Sequence, residues 1–229
     1  MRSTLAILAA QATAELTSAR SLLPRQNSSG PNPFEGRQLY VNPKYTESLE
    51  VTRQSFLDAG DQENAGKVQF VQEQVGTFVW ISNIALLEDI DRAIETARSV
   101  QEQNGQEQII GLVLYNLPDR DCSAGESFGE LSLADGGLER YMEEYVGPFA
   151  EKVLEASDLQ FSIVLEPDAV GNMVTGGDIE LCANAAEPQR EGIAYAIQQL
   201  QAENVHLYID VANGGWIGSE ENAESGKSP

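Results

Sequence analysis

The chain has 229 residues, of which 41% are hydrophobic, and this is enough to bury one substantial core in a single domain. Acidic residues outnumber basic residues by 36 to 14, which gives a formal net charge of -22. A protein of this charge repels phosphate backbones and anionic membrane surfaces, so the composition excludes nucleic acid and membranes as partners and favours neutral or cationic ones.

The first 32 residues are predicted to lie outside the folded domain. Residues 1–14 have the form of a signal peptide, with Arg2 before a short apolar run that ends in Ala12-Thr13-Ala14. An amphipathic N-terminal helix is the alternative. Residues 15–32 are rich in Ser, Pro, Asn and Gln and predict a flexible linker, in which Asn27 begins an N-glycosylation sequon. These features predict a secreted, extracellular glycoprotein, and no segment reaches the roughly 18 apolar residues of a membrane span.

From residue 77 onward, strand-like and helix-like patterns alternate. Strands rich in β-branched and aromatic residues are predicted at 77–81, 108–115, 161–165 and 205–210. Helices are predicted at 45–57, 90–100, 141–154 and 193–200, of which the third contains an interrupting Gly147-Pro148 pair. The alternation predicts an α/β fold with a mainly parallel sheet.

Acidic residues follow three of the four predicted strands. Asp119 and Asp121 follow the second strand, Glu166 and Asp168 flank a proline after the third, and Asp210 ends the fourth. In parallel α/β folds, ligands bind outside the carboxyl ends of the strands. Crowded carboxylates raise one another's pKa, so that one stays protonated while another is charged, as glycoside hydrolysis requires. The alternative is that these acids cap helices and turns.

Other residues limit the kinds of site that the sequence can form. Trp80, Tyr115 and Trp216 lie near the same strand ends and offer apolar faces for sugar rings. The only histidine, His206, lies within a predicted strand, which excludes a histidine metal cluster and disfavours a Ser-His-Asp triad. No glycine-rich phosphate loop is present, so a nucleotide-binding protein is weakly supported.

Two cysteines, Cys122 and Cys182, are present. An even pair in a chain predicted to be secreted favours a disulfide, and two buried free thiols are the alternative. A disulfide that closes the loop between Cys122 and Cys182 would stabilise the fold by roughly 4 kcal/mol, because it lowers the conformational entropy of the unfolded chain.

Two longer stretches are more specific. Residues 113–137, VLYNLPDRDCSAGESFGELSLADGG, and residues 163–174, IVLEPDAVGNMV, closely resemble the two signature motifs of family-6 glycoside hydrolases, which include fungal cellobiohydrolase II and related endoglucanases. The resemblance runs from about residue 32 to residue 218, in the family's order. It implies inverting hydrolysis of β-1,4-glucan, with cellulose or a related β-glucan as partner and no cofactor or metal. The implied fold is an incomplete, distorted (β/α) barrel with a mainly parallel sheet.

The resemblance also implies roles for individual residues. Asp168 matches the proton donor, and Asp121 matches a second acid that raises the donor's pKa and helps to hold the attacking water. Cys122 and Cys182 match a family disulfide. Six further positions match residues that contact the sugar or line the cleft: Trp80, Tyr115, Arg120, Ser127, Asp210 and Trp216.

Three positions depart from the family pattern. Ser82 stands where family members usually have Asp, Phe128 where they have Asn, and Asn213 where they have His. Each change removes or replaces a polar contact to a sugar, so we expect weakened subsites.

The end of the chain also differs from the family pattern. Family catalytic domains continue past the Gly-Trp segment, whereas residues 219–229 here are polar and predict a disordered tail. We therefore expect 33–218 to be the N-terminal part of a catalytic domain from a shortened gene product, with about half of the barrel missing and an unpaired edge strand. The alternative function is that of an impaired remnant that only binds glucan or a partner.

Overall fold

The structure is a computed structural model, and it describes residues 32–218. The predicted signal peptide, the predicted linker up to residue 31 and the predicted tail at 219–229 lie outside the described residues. Asn32, the last residue of the predicted linker, already belongs to a turn, because its side chain accepts a hydrogen bond from the backbone N–H of Phe34 at 3.1 Å.

The elements of the described chain alternate between strand and helix. The strands are β1 (Gln38–Leu39), β2 (Val79–Ile81), β3 (Gln108–Leu114), β4 (Gln160–Leu165) and β5 (Val205–Ile209). The helices are α1 (Pro43–Asp58), α2 (Gln62–Gln74), α3 (Glu88–Asn104), α4 (Gly137–Arg140), α5 (Gly147–Glu155), α6 (Ala169–Thr175), α7 (Glu180–Gln199) and α8 (Gly214–Ile217). Short 3-10 turns lie at Ile84–Leu87 and Leu133–Asp135, and a π-helical turn at Tyr141–Val146 joins α4 to α5.

The sheet is parallel throughout the described residues and is not closed. β1 and β2 both pair with β3, which pairs with β4, and β4 pairs with β5. The predicted α/β fold with a mainly parallel, incomplete barrel-like sheet is therefore confirmed. β1, α2, α4, α6 and α8 were not predicted. β1 has only two residues, and α2 buries only Ala65 and Gln72 and so has no apolar stripe.

The register brings four strand ends level with one another. Ile81 pairs with Leu114, Leu114 with Leu165, and Leu165 with Ile209. Since all strands run in the same direction, the residue after each of these four begins a loop at the same edge of the sheet. We call this edge the strand-end row; it begins at Ser82, Tyr115, Glu166 and Asp210.

Helices pack against the sheet, and its central strand is buried along its whole length. All seven residues of β3 are buried, as expected for a strand inside a parallel sheet. Ile90 and Ile94 of α3, Phe149 of α5 and Ile193 of α7 belong to the core cluster that packs against the sheet. None of the helices within residues 32–218 has the length and hydropathy needed to cross a bilayer.

The helix predicted at 141–154 continues through its Gly-Pro pair instead of breaking there. The backbone N–H of Gly147 donates to the carbonyl of Met142, five residues earlier, which is the hydrogen bond of a π-helical turn. Pro148 lies in the first turn of α5, where its missing N–H is tolerated. The wide turn buries Tyr141, Tyr145 and Val146 beneath the strand-end row.

The cysteines form the predicted disulfide. Cys122 and Cys182 are bonded, with their Cα atoms 5.2 Å apart, and both are buried. The bond joins the loop after β3 to the first turn of α7, so it restrains the loop that carries Asp121.

Among residues 32–218, β5 pairs only with β4 and so forms an edge of the sheet. Tyr208 and Ile209 are 42% and 49% exposed, and Val211 just beyond the strand is 54% exposed. Strands of parallel sheets are normally covered on both faces, so this edge presents apolar surface that another element can cover.

Candidate active site

The structure brings the sequence-predicted site residues together at the strand-end row. Trp80 lies in β2, Arg120 and Asp121 lie in the loop after β3, and Asp168 and Asp210 follow β4 and β5. Asp121 and Asp210 lie close enough to Asp168 for their charges to raise its pKa. The carboxylates thus share one end of the sheet.

The backbone of the strand-end row is unusual. Five non-glycine residues have φ between 44° and 68°, in the left-handed region: Asp119, Asp121, Glu166, Asp168 and Ala212. Such residues cost on the order of 1–3 kcal/mol each and persist only where the surroundings fix them. Their concentration here indicates that the fold constrains the loops to aim particular side chains.

Hydrogen bonds fix the loop that carries Asp121. Its Oδ2 accepts from the backbone N–H of Ser127 at 2.6 Å, and its carbonyl accepts from the N–H of Gly125 at 2.8 Å. Arg120 Nε donates to the carbonyl of Ser127 at 2.8 Å. The loop is therefore closed on itself, with Asp121 and Arg120 held in fixed positions.

Arg120 and Trp80 both contact the ring of Tyr115. The guanidinium carbon lies 4.2 Å from the centroid of the Tyr115 ring, and Nη1 donates to the carbonyls of Ser82, at 2.9 Å, and of Tyr115. Trp80 meets Tyr115 edge-on at 5.4 Å and is 51% exposed, so its indole is accessible to a ligand. Burial raises the pKa of the Tyr115 hydroxyl, which keeps it protonated.

Asp168 is exposed, and its backbone is tied to Asp210. Its N–H donates to Asp210 Oδ1 at 3.1 Å, and the same oxygen accepts from the N–H of Ala212 at 2.9 Å. Although the side chain is exposed, its surroundings remove part of its hydration. This partial burial, followed by the charges of Asp210 and Asp121, raises the pKa of Asp168. This carboxyl group therefore retains a proton more readily than an isolated aspartate. In the described part of the chain, no three His, Cys, Asp or Glu side chains are arranged to hold a metal ion.

Trp216 lies in α8 and packs on α6. Its Nε1 donates to Thr175 Oγ1 at 2.8 Å. A Cβ at Gly171 would lie 3.0 Å from the Trp216 ring and 2.9 Å from Ala212, so glycine permits this close approach. Asn213, which departs from the family pattern, caps α8 by accepting from the N–H of Gly215 at 2.9 Å.

The other two departures lie beside Arg120. Ser82 contributes its carbonyl to the arginine, a contact that does not depend on its side chain. Phe128 is 59% exposed, and a Cβ at Gly125 would lie 2.9 Å from its ring. The loop therefore presents an apolar ring where the family pattern has an amide.

Sequence reasoning missed the role of Glu166, which it treated as one more acid of the row. Glu166 is 1% exposed, and its carboxylate accepts from the backbone N–H groups of Asn116 at 3.1 Å and Leu117 at 3.2 Å and from Tyr141 Oη at 2.8 Å. Burial raises its pKa from the usual 4.5 to about 7, although these hydrogen bonds act in the opposite direction. The glutamate therefore faces the interior, two residues from an exposed aspartate.

Tyr145 was also missed. Its hydroxyl donates to the carbonyl of Ile81 and accepts from the backbone N–H of Tyr115 at 3.0 Å, so it bridges the ends of β2 and β3. The sequence signal was a pair of tyrosines four residues apart in a predicted helix, where each buried ring carries a polar tip that needs a partner.

Comparisons with known proteins identify the family of the chain. A family model described as "Glycosyl hydrolases family 6" matches residues 34–228. "Probable exoglucanase GH6D" of Podospora anserina is 63% identical over 222 residues, which are 97% of this chain and 50% of that protein. "1,4-beta-D-glucan cellobiohydrolase CEL6B" of the same fungus is 52% identical over 220 residues, 94% of this chain and 52% of that protein.

A solved structure matches as well. The "Endoglucanase CEL6B from Humicola insolens" superposes with a TM-score of 0.82 at 61% identity, covering 86% of this chain and 56% of that one. The chain thus spans about half the length of the curated relatives it matches.

Replacing Glu166 with Gln should change how stability depends on pH. Between about pH 4.5 and pH 7 the folded chain keeps a proton on Glu166 that the unfolded chain releases, so the free energy of unfolding falls as pH rises through this window. The loss is on the order of 3 kcal/mol for a shift of this size. Urea unfolding of wild type and Glu166→Gln at pH 4.5, 6 and 7.5 should show a shallower decline for the variant.

The exposed Glu143 provides the matched control, since Glu143→Gln lies in the same π-helical turn and should keep the wild-type pH dependence. Parallel stability curves for wild type and Glu166→Gln would show that Glu166 does not titrate in this range.

Proposed function

Because the chain belongs to family 6 of the glycosyl hydrolases, we propose that it hydrolyses β-1,4-glucosidic bonds of cellulose or a related β-glucan, with inversion and with Asp168 as general acid. The observation that carries the proposal is the convergence of Asp121, Asp168 and Asp210 at one edge of the sheet, where burial and the charges of the other two acids raise the pKa of Asp168. Glycoside hydrolysis needs one carboxyl group that is protonated and another that is charged.

The reaction follows from the two carboxyl groups. Asp168 gives its proton to the glycosidic oxygen as the bond to the anomeric carbon breaks. Asp121 stabilises the resulting cationic sugar and helps to hold a water molecule. The water attacks the opposite face of the ring and releases a proton to solvent as its oxygen bonds to the anomeric carbon. The attack from that face inverts the anomeric configuration, so the first product is the α-anomer.

The aromatic residues support a sugar substrate. The exposed indole of Trp80 stands beside Tyr115, and Trp216 lies on the same side of the sheet ends. Flat aromatic faces stack on the apolar faces of pyranose rings. The matched relatives are named as an exoglucanase, an endoglucanase and a 1,4-β-D-glucan cellobiohydrolase, which supports a β-1,4-glucan. A glucan is uncharged, so the net charge of -22 does not oppose its binding.

We further propose that the protein acts outside the cell. The disulfide between Cys122 and Cys182 supports this, because such bonds persist in oxidising compartments. The predicted leader and sequon lie outside the described residues and remain predictions.

A second candidate function is binding of glucan or a protein partner without hydrolysis. The exposed edge at Tyr208, Ile209 and Val211 favours it, because this apolar surface suits association. The two candidates differ in whether sugar is released.

Replacing Asp168 with Asn should strongly reduce hydrolysis. Asparagine keeps the shape of the side chain but has no proton to donate at this position, and general acid catalysis contributes about 10²–10⁴ in rate. Reducing sugar released from amorphous cellulose or a mixed β-glucan should therefore fall at least about 100-fold. Asp178→Asn, at an exposed position in the turn before α7, is the matched control and should release sugar at the wild-type rate.

Equal activity of Asp168→Asn and wild type would remove Asp168 from the general-acid role. Glucan binding by folded wild type with no release of sugar would favour the second candidate.

Activity should vary with pH as a bell-shaped curve with its maximum on the acid side of neutral. Asp168 must be protonated to act, so activity falls as pH rises through its pKa, which burial and the charges of Asp210 and Asp121 place above the usual aspartate range. Activity also falls in strong acid, where the supporting carboxylate loses its charge. Initial rates measured from pH 3 to pH 9 should show both limbs, and a flat profile between pH 4 and 8 would contradict the paired acids.

A further inference from the structure

A buried set of three side chains lies directly beneath the strand-end row. We call Tyr141, Tyr145 and Glu166 the clamp. Both tyrosines come from one π-helical turn, and all three residues are at most 1% exposed. π-helical turns within α-helices are rare and are frequent at functional sites.

The clamp joins the ends of three strands. Tyr145 bridges the carbonyl at the end of β2 and the N–H of Tyr115 after β3. Glu166, the first residue after β4, accepts from two consecutive N–H groups of the loop after β3, and Tyr141 donates to the same carboxylate. One helical turn and one side chain therefore fix the relative positions of the loops that carry the candidate catalytic acids.

All the hydrogen-bonding partners of Glu166 in the described structure are donors. Asn116 N–H and Tyr141 Oη donate to Oε1, and Leu117 N–H donates to Oε2. This arrangement suits the charged carboxylate, which uses both oxygens as acceptors and predominates above the pKa of about 7. It cannot be matched by an amide, whose nitrogen is itself a donor.

Glu166 offsets its own desolvation by satisfying buried backbone donors. A buried acid costs desolvation energy, but an apolar residue at this position would remove the acceptor of the Asn116 and Leu117 N–H groups. Glu166 also has φ at 44° and Asp168 has φ at 68°, conformations that need outside support. The clamp supplies this support where the chain turns from β4 toward Asp168.

We propose that Glu166 is a positioning residue, which locks the backbone at 115–117 against the backbone at 166–168 and so sets the placement of Asp168 relative to Tyr115 and Asp121. The catalytic part of this inference rests on the proposed function. Glu166 does not itself reach the strand-end surface, because it is buried, and it acts through the backbone on either side of it.

Three variants test the inference. Glu166→Gln puts a donor opposite one of the two backbone N–H groups, Tyr141→Phe removes only the hydroxyl, and Glu143→Gln changes an exposed glutamate of the same π-helical turn. Amide hydrogen exchange is measured residue by residue in each folded variant. Leu112, inside β3, reports global opening.

The first expected result is a change in amide exchange close to Glu166. In Glu166→Gln the amides of Asn116 and Leu117 should exchange at least about tenfold faster, because an unsatisfied buried donor is costly, while Leu112 stays at the wild-type rate. Tyr141→Phe should show a smaller rise at Asn116, and Glu143→Gln none. Unchanged exchange at Asn116 and Leu117, or an equal rise at Leu112, would overturn the positioning role.

The second expected result is kinetic. On a cello-oligosaccharide, kcat of Glu166→Gln should fall at least about tenfold with KM within about threefold of wild type, because misplacement of catalytic groups affects the reaction step. Faster local exchange with unchanged kcat would overturn the link to catalysis.

The outcomes separate the two proposals. Absence of hydrolysis by wild type contradicts the proposed function, and the exchange rates then decide the positioning role alone. If Glu166→Gln does not fold, Tyr141→Phe tests the positioning role instead. An exchange rate of the Asn116 amide in Tyr141→Phe equal to that in wild type would overturn the inference.

Discussion

The in-register pairing of parallel strands is the constraint on which the rest of the structure depends. Ile81, Leu114, Leu165 and Ile209 lie side by side, so four loops begin at one edge of the sheet. A shift of one residue in β4 would turn the buried side chains of the strand toward the opposite face and move the start of the loop that carries Asp168 out of line with the other loops. The acids are therefore placed together by the sheet, although their charges repel one another.

This crowding has an energetic cost that the fold offsets locally. Left-handed backbone at five non-glycine residues and the mutual repulsion of Asp121, Asp168 and Asp210 both oppose folding. The clamp, the disulfide and the closed loop around Asp121 hold these features in place. Burial and the same repulsion raise the pKa of Asp168, so an arrangement that destabilises the fold also prepares this carboxyl group to donate a proton.

Sequence patterns predicted the features that depend on local composition. The four longer strands are apolar runs, and the motifs identify Asp121 and Asp168 by position. Features that depend on three-dimensional contact were not predictable: the burial of Glu166, the bridging hydroxyl of Tyr145 and the π-helical turn where a break at Gly147-Pro148 was expected. An acid after a strand looks the same in sequence whether it faces solvent or the interior. α2 was missed because it buries too few apolar residues to show a stripe.

Titration of the carboxyl groups by carbon NMR tests the central claim most directly, because it needs no turnover. With aspartate carboxyl carbons labelled, Asp168 should titrate above the usual range near 3.9, and its pKa should fall when Asp210 is replaced by Asn, since one of the charges that raise it is removed. A normal pKa for Asp168 that does not respond to Asp210→Asn would show that the strand-end row does not build an acid pair.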